Sequence, residues 1–295
     1  RVDLDKADKI KKDLQKKENI LLKQIKKDTG VDVDVWAAVS VAKAFDKLNI
    51  TYDRTEKSGQ PKFDKNFLTT HKHPLAKMVV QAREFNKART TFIDTILTHS
   101  SHSRIHADIN QMRGETGGTV TGRFSYSNPN LQQIPARNKD IGPLIRSIFV
   151  PDEGCKWGSF DYSQQEPRVL VHFAALTGKC RFDLWEPRAF GIHKALPLWQ
   201  AEKEYGRDLK RAWTYKALNR LIQGSSADMT KKAMVDLYEE GIVSHIQVHD
   251  ELNCSIENPE QATRIKEVME NTVELKVPLK VDAEIGPSWG EINKK

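Results

Sequence analysis

The chain has 295 residues, with 47 Lys and Arg against 40 Asp and Glu. This length can bury one large core or two smaller ones, and the net charge of +7 is compatible with a polyanionic partner without demonstrating one. Its cysteines, Cys155, Cys180 and Cys254, are too few and too far apart for a disulfide framework or a tetrahedral zinc site, and the lack of a long apolar run favours a soluble, intracellular protein without a membrane span.

The first hundred residues predict two charged amphipathic helices. From Leu4 to about Lys27, apolar residues recur on one stripe at four- and seven-residue spacing, which is typical of a helix with one buried face. A second helical pattern runs from about Pro74 to Leu97, and the polar run at 55–61 predicts a surface loop between the two. We expect the helices to pack antiparallel as a basic arm. Charge alone leaves open whether their basic side chains contact phosphates or simply face solvent.

After residue 101 the pattern becomes that of a sheet-containing domain. Gly and Pro cluster at 114–143, and strand-like runs follow at 147–150 and 156–162. A helix is predicted at about 208–240, and two later strands, 243–248 and 252–256, are joined by a tight acidic turn. The predicted fold class is therefore α+β, with a helical part at 1–100 and a sheet-containing part at 101–295.

Two aspartates stand where a metal could be held. Asp161 lies at the end of the strand predicted at 156–162, and Asp250 lies in the later turn. If these strands were neighbours, the carboxylates would meet at one end of the sheet, and hard carboxylate oxygens suit Mg²⁺. Such a pair fits phosphoryl transfer assisted by two ions. It would equally serve a metal-dependent nuclease, and either aspartate alone is more often a turn former or a solvated charge.

Four segments, in order along the chain, resemble the motifs of family A DNA polymerases. They are Thr121–Arg123 with Asn130–Pro135, Asp161–Arg168, Gln223–Asp228, and Val248–Glu251. Residues 54–59 and the helices around them resemble the thumb of that family, and residues 101–295 resemble its palm, which has a mostly antiparallel sheet. The resemblance implies a monomer that adds deoxynucleotides from dNTPs to primer-template DNA and releases pyrophosphate, in a bacterial or phage-infected cytoplasm.

The resemblance also implies roles for the acidic residues. Asp161 and Asp250 would bind two Mg²⁺ ions, and the backbone carbonyl of Tyr162 would complete one coordination shell. Glu251 would be a further catalytic acid beside them, with a less fixed role.

Other matched residues would face the nucleotide sugar and the DNA. Glu166 matches the residue that packs under the sugar and excludes a ribose 2′-hydroxyl; the alternative is a local ion pair with Arg168 along a strand. The residues implied to contact DNA are Arg123, Gln133, Asn219, Gln223 and His249. Minor-groove acceptors are common to every correct base pair, so such contacts would test pair shape without reading sequence. Each residue also has an ordinary alternative as a loop charge, a helix-surface residue or a turn residue.

One motif of the family has no match in this chain. The helix that binds the triphosphate should lie between the second and fourth motifs, yet residues 176–179 are followed at once by Cys180. We expect a fingers segment to be missing at about 179–180, either omitted from a longer protein or truly deleted. A true deletion would favour a third alternative, a polymerase-derived protein that binds DNA without catalysis.

Overall fold

The structure, a computed structural model, describes residues 1–114, 117–136, 138–177 and 217–292. Its backbone contacts divide the chain into two units. The helical unit comprises Arg1–His106 and Ile134–Phe149, and the sheet unit comprises Ala107–Gln133 and Val150–Lys295. Among the helices of the described ranges, none combines the length and apolar character needed to cross a membrane.

The helical unit consists mainly of helices with two short strand pairs. Its helical elements are α1 (Leu4–Thr29), α2 (Ala38–Lys47), α3 (Lys65–Thr70), α4 (Pro74–Lys87), a π-helical turn (Ala88–Ile93), α5 (Asp94–Thr98) and α6 (Ile141–Arg146). Its strands are β1 (Asp53–Arg54), β2 (Pro61–Lys62), β3 (Ser100–Ser101) and β4 (Arg104–Ile105). The exposed loop predicted at 55–61 joins β1 to β2.

Local signals at both ends define α1. The Asp3 side chain caps its N-terminus by accepting a hydrogen bond from the backbone N–H of Lys6 at 2.9 Å. Gly30 ends the helix in the left-handed conformation, with a φ of 71°. Ile10 and Leu14 from the predicted apolar stripe are buried. The predicted first helix is confirmed.

The two long helical segments run antiparallel, as predicted. Glu18 accepts hydrogen bonds from Asn86 at 2.7 Å and Arg89 at 3.2 Å, whereas Lys11, earlier in α1, pairs with Asp94 at 2.7 Å. Lower numbers on one helix thus meet higher numbers on the other. Helix α4, the π-helical turn and α5 follow one another without a break, so the helix predicted at 74–97 is confirmed, with a π-helical turn inside it.

The sheet unit is built on a four-stranded antiparallel sheet within its described residues. Its strands are β5 (Asp108–Asn110), β6 (Ser125–Ser127), β7 (Lys156–Tyr162), β8 (Ser244–Val248), β9 (Glu251–Ile256) and β10 (Val281–Gly286), and its helices are α7 (Gln165–Thr177), α8 (Ala217–Glu239) and α9 (Pro259–Asn271). The main sheet has the order β10-β7-β9-β8, and β5 pairs with β6 separately. The predicted α+β fold with a mostly antiparallel sheet is confirmed.

The two faces of β7 serve different purposes. Phe160 and Tyr162 point to one face and join the core formed with α7, α8 and α9. Trp157, Ser159 and Asp161 alternate with them and therefore lie on the opposite face. The helix-covered face provides the core, and the other face presents polar groups toward the end of the sheet.

Two predicted elements differ from the structure in existence or in extent. The strand predicted at 147–150 is wrong: Ser147 caps α6, and Phe149 forms an isolated bridge with Val2 that lies outside any strand. The following Pro151 lacks the N–H that a longer ladder would need. The helix predicted at 208–240 is present as Ala217–Glu239, and residues 208–216 of that prediction lie outside the described residues.

Replacing Gly158 with Ala tests how closely β7 is packed. A Cβ there would lie 2.5 Å from Cγ1 of Ile256 and 2.8 Å from Cε2 of Phe160. We expect Gly158→Ala to lower the free energy of unfolding by about 1–3 kcal/mol because core atoms must shift. Urea denaturation measures the change, and Gly114→Ala is the control because nothing lies within 4 Å of its Cβ position. Equal stability of both variants would contradict the close packing.

Candidate active site at the end of the main sheet

Of the two predicted metal-binding aspartates, Asp161 lies in β7 and Asp250 lies in the turn that leads into the adjacent strand β9. In the antiparallel pairing of β7 with β9, Asp161 is opposite Glu251. The Tyr162 N–H donates to the backbone carbonyl of Asp250 at 3.3 Å, so the hairpin turn carrying Asp250 is fastened to the end of β7. The expectation that these strands are neighbours is confirmed, and Asp161 and Asp250 stand at the same end of the sheet.

Negative charge is concentrated around Asp161. Its carboxylate is accessible, yet surrounding protein displaces much of its water. This burial, followed by the charges of Asp250 and Glu251, raises the pKa of Asp161 to about 7, with smaller contributions from Asp282 and Glu284. Burial likewise raises the pKa of Asp250. Two carboxylates that disfavour each other's ionised form make a place where a cation would relieve repulsion.

The chemistry of these donors fits a hard divalent cation. Asp161 and Asp250 supply carboxylate oxygens, and Tyr162 lies between them in the backbone network with its own side chain turned away, where its hydroxyl donates to the Met269 carbonyl at 2.8 Å. Within the described residues, no group of three or more His, Cys, Asp or Glu side chains is arranged as a metal-binding cluster. The carboxylates of Asp161 and Asp250 are thus the candidate donors, and the Tyr162 backbone carbonyl stays a predicted third ligand.

The turn between β8 and β9 is held by an amide network that the sequence interpretation missed. His249, the first residue of this turn, has a φ of 58°, a conformation that usually favours glycine. The buried Gln247 side chain donates to the His249 carbonyl. Gln132 in turn donates to Oε1 of Gln247 at 3.1 Å, and the Gln247 N–H donates to the Tyr126 hydroxyl at 3.3 Å. The sequence signal for this network was Gln247, a polar residue between the apolar Ile246 and Val248 of β8.

Glu166 pairs with a distant arginine. It lies in the first turn of α7, and its Oε1 accepts a hydrogen bond from Nη2 of Arg123. The alternative of a local pair with Arg168 on a strand is wrong, because this segment is helical and Arg168 instead donates to the carbonyls of Ser163 at 2.8 Å and Pro278 at 2.6 Å. Arg123 and Glu166, predicted separately, are thus brought together.

The remaining predicted DNA-contacting residues lie on α8 and on one loop. Asn219 and Gln223 are one helical turn apart on α8 and share a face. The Thr121 carbonyl lies 3.4 Å from where a Cβ of Gly224 would be, so the loop leading to Arg123 packs against this helix just after Gln223. Gln133 is exposed at the end of a 3₁₀ turn spanning Leu131–Gln133.

Glu251, predicted as a further catalytic acid, is engaged within the protein. Its Oε1 accepts hydrogen bonds at 2.9 Å from Ser159, Asn253 and Trp289. Trp289 comes from the segment after β10, and no motif in the sequence indicated it.

Comparison with known proteins gives a consistent family match. The model of DNA polymerase family A matches residues 4–178 and 190–291. The chain is 29% identical over 418 residues to a DNA-directed DNA polymerase of Pseudomonas phage M6, covering 98% of this chain and 63% of that protein. It is 29% identical over 341 residues to the thermostable DNA polymerase I of Thermus filiformis, covering 84% of this chain and 40% of the relative. The chain therefore spans less than two thirds of the length of these curated relatives.

A solved structure has the same fold. It is the POL domain of Pol1 from M. smegmatis in complex with DNA primer-template and dNTP, which matches with a TM-score of 0.72 at 23% identity. The match covers 98% of this chain and 67% of that one. At this level of identity the likeness concerns the fold.

The crowding of carboxylates predicts that an active-site substitution stabilises the metal-free protein. The pKa of Asp161 is raised above its unfolded value to about 7, so ionisation between about pH 4 and pH 7 opposes folding. We expect Asp161→Asn to raise the free energy of unfolding at pH 8 in EDTA by on the order of 1 kcal/mol, discounted for solvent exposure. Thermal unfolding at pH 8 and pH 5 checks this. The gain should shrink at pH 5, and a loss of stability at pH 8 would refute the repulsion.

Proposed function

Because the chain belongs to DNA polymerase family A, we propose that it catalyses template-directed extension of a DNA primer, using dNTPs and releasing pyrophosphate. The observation that carries this proposal is the meeting of Asp161 and Asp250 at one end of adjacent strands. Glu166 and Arg123 lie in the same unit as a joined pair. A nuclease would need the carboxylates but has no use for a residue that tests the nucleotide sugar.

We propose that Asp161, Asp250 and the Tyr162 carbonyl hold divalent cations, with Mg²⁺ as the ion that hard oxygen donors suit. When bound, two such ions would lower the pKa of the primer 3′-hydroxyl and neutralise charge on the departing pyrophosphate. The protein's part is to fix the carboxylates. The Tyr162 to Asp250 backbone hydrogen bond and the strand register set their separation, while repulsion between them keeps the site poised for a cation.

We propose that Glu166 selects the sugar of the incoming nucleotide. Its position at the start of α7 is fixed by the helix, and the hydrogen bond from Arg123 orients its carboxylate. A carboxylate held in this way would stay in one position and exclude a 2′-hydroxyl by steric clash. Arg123 would at the same time reach the minor groove with Asn219, Gln223 and His249, and Gln133 would contact DNA from its exposed turn, so base-pair shape and sugar identity would be tested by connected groups.

We propose that residues 1–100 act as a thumb and residues 101–295 as a palm. The helical character of the first unit and the main sheet of the second support this division. A missing fingers segment at about 179–180 is supported by two comparisons: the family match is interrupted at 179–189, and the alignment with the phage polymerase spans 418 residues, more than this chain contains. The predicted junction itself lies outside the described residues.

Replacing either aspartate tests the proposed chemistry. We expect Asp161→Ala and Asp250→Ala each to reduce primer extension by several orders of magnitude, because each removes a carboxylate that would hold metal. Gel-based extension and filter binding to primer-template DNA measure synthesis and binding separately. Asp282→Asn is the matched control, since it removes the neighbouring β10 carboxylate that pairs in register with Asp161, and it should retain most extension.

The same assays separate the alternatives. Retained extension in either alanine variant would refute the assignment of these residues. Degradation of DNA without added nucleotides would favour the nuclease. Metal-independent binding of DNA by the wild-type protein, with no extension, would favour a polymerase-derived binding protein.

Replacing Glu166 tests sugar selection. We expect Glu166→Ala to raise ribonucleotide incorporation relative to deoxynucleotide incorporation by at least about 10-fold, because a discriminating contact worth about 1.4 kcal/mol or more is removed. Single-nucleotide insertion kinetics with dNTP and NTP give the ratio. Arg123→Lys should shift it in the same direction but less, since lysine lacks the planar fork of arginine. An unchanged sugar preference in Glu166→Ala would contradict the role.

A further inference from the structure

The side chain of Glu251 is held through one of its two carboxylate oxygens, which accepts three hydrogen bonds. Its Oε1 accepts hydrogen bonds at 2.9 Å from the hydroxyl of Ser159, the side-chain amide of Asn253 and the indole N–H of Trp289. A carboxylate offers about four lone-pair sites over its two oxygens. Three donors therefore saturate Oε1 and fix the plane of the carboxylate. In this respect Glu251 differs from Asp161 and Asp250, which are the candidates for holding metal.

The segment after β10 is folded back so that Trp289 reaches this carboxylate. Gly286 allows the close approach, because a Cβ there would lie 2.2 Å from the carbonyl oxygen of Glu291. The Glu291 N–H donates to the Ser288 carbonyl at 3.1 Å, and the Ser288 hydroxyl donates to the Glu291 side chain at 2.7 Å. These contacts close a turn around Trp289, whose side chain is only 1% exposed.

A second buried tryptophan completes the support. Trp157 is stacked on Trp289, with ring centroids 6.1 Å apart and an interplanar angle of 22°. Its indole N–H donates to Oδ1 of Asn253 at 2.8 Å, and Asn253 itself donates to Glu251. The two indoles thus approach the same network by different routes, and only Trp289 donates to the carboxylate directly.

We propose that Trp289 is a positioning residue for the active site and that it acts through Glu251. Glu251 follows Asp250 directly and faces Asp161 across the strand pair. Anchoring its carboxylate holds the end of the hairpin turn and keeps its charge at a fixed distance from Asp161. Without the indole N–H, the Glu251 carboxylate and the adjoining turn gain freedom to move, so that Asp250 is less firmly placed relative to Asp161 and the pair holds a cation less tightly. The role in catalysis rests on the proposed polymerase activity, whereas the effect on metal affinity rests only on the cation site proposed at Asp161 and Asp250.

The test compares two substitutions that each remove one indole N–H. Trp289→Phe and Trp157→Phe keep a buried aromatic ring in the stacked pair, and thermal unfolding should show similar losses of stability. Binding of Mn²⁺ to the full chain, measured by electron paramagnetic resonance without DNA or nucleotide, should weaken by about 10-fold in Trp289→Phe and much less in Trp157→Phe. In primer extension, kcat should fall in Trp289→Phe while the KM for dNTP stays close to wild type.

A second pair of variants distinguishes positioning from direct ligation. Glu251→Gln keeps an oxygen acceptor for the three donors, so its Mn²⁺ affinity should be closer to wild type than to Glu251→Ala. Equal Mn²⁺ affinities for Trp289→Phe and Trp157→Phe would overturn the proposal, as would a Glu251→Gln variant as impaired as Glu251→Ala. If wild type fails to extend primers but Mn²⁺ binding still weakens only in Trp289→Phe, the proposed function fails and the positioning role stands.

Discussion

The register between β7 and β9 is the constraint on which the site depends. It sets Asp161 opposite Glu251, Ser159 opposite Asn253 and Phe160 opposite Leu252. Because side chains alternate between faces, a slip of one residue would turn Asp161 into the helix-covered core and Phe160 out of it. The buried contacts of Phe160 therefore hold the register, and the position of the acidic residues follows from hydrophobic packing on the opposite face.

Buried polar groups near the site are tolerated because they are satisfied by one another. Asn253 is fully buried, yet its amide is engaged with Trp157 and Glu251. Gln247 is buried as well and joins Gln132 to the turn at His249. An unpaired buried amide costs more than a hydrogen bond returns, so networks of this kind are stable only when complete. They also fix one arrangement of the hairpin, which a purely apolar face would leave less specified.

The local elements could be predicted from the sequence where a strong periodic pattern or a cap was present. The helix from Leu4 and the strand ending at Tyr162 follow from such patterns, and the resemblance of ordered motifs indicated the acidic pair. Side-chain contacts between residues far apart in the sequence could not be predicted. The contact between Arg123 and Glu166 depends on where a loop meets the start of a helix, and the arrival of Trp289 at Glu251 depends on a chain reversal at Gly286. The error at 147–150 has the same origin, because an apolar run predicts burial but does not specify a strand partner.

The acidic end of the sheet is maintained against its own electrostatics. Asp161 has a pKa raised to about 7 because its neighbours and its partial burial both disfavour the charged form, and the fold must supply that free energy from packing elsewhere. A cation bound there would offset this free-energy cost, since a ligand that binds only the folded state adds to stability. The turn residue His249, with its positive φ, and the carboxylate of Glu251 are likewise each held in place by specific hydrogen bonds. Rigidity at this end of the sheet keeps the carboxylates close. If the turn relaxed, they would move apart and lose the geometry that suits a cation.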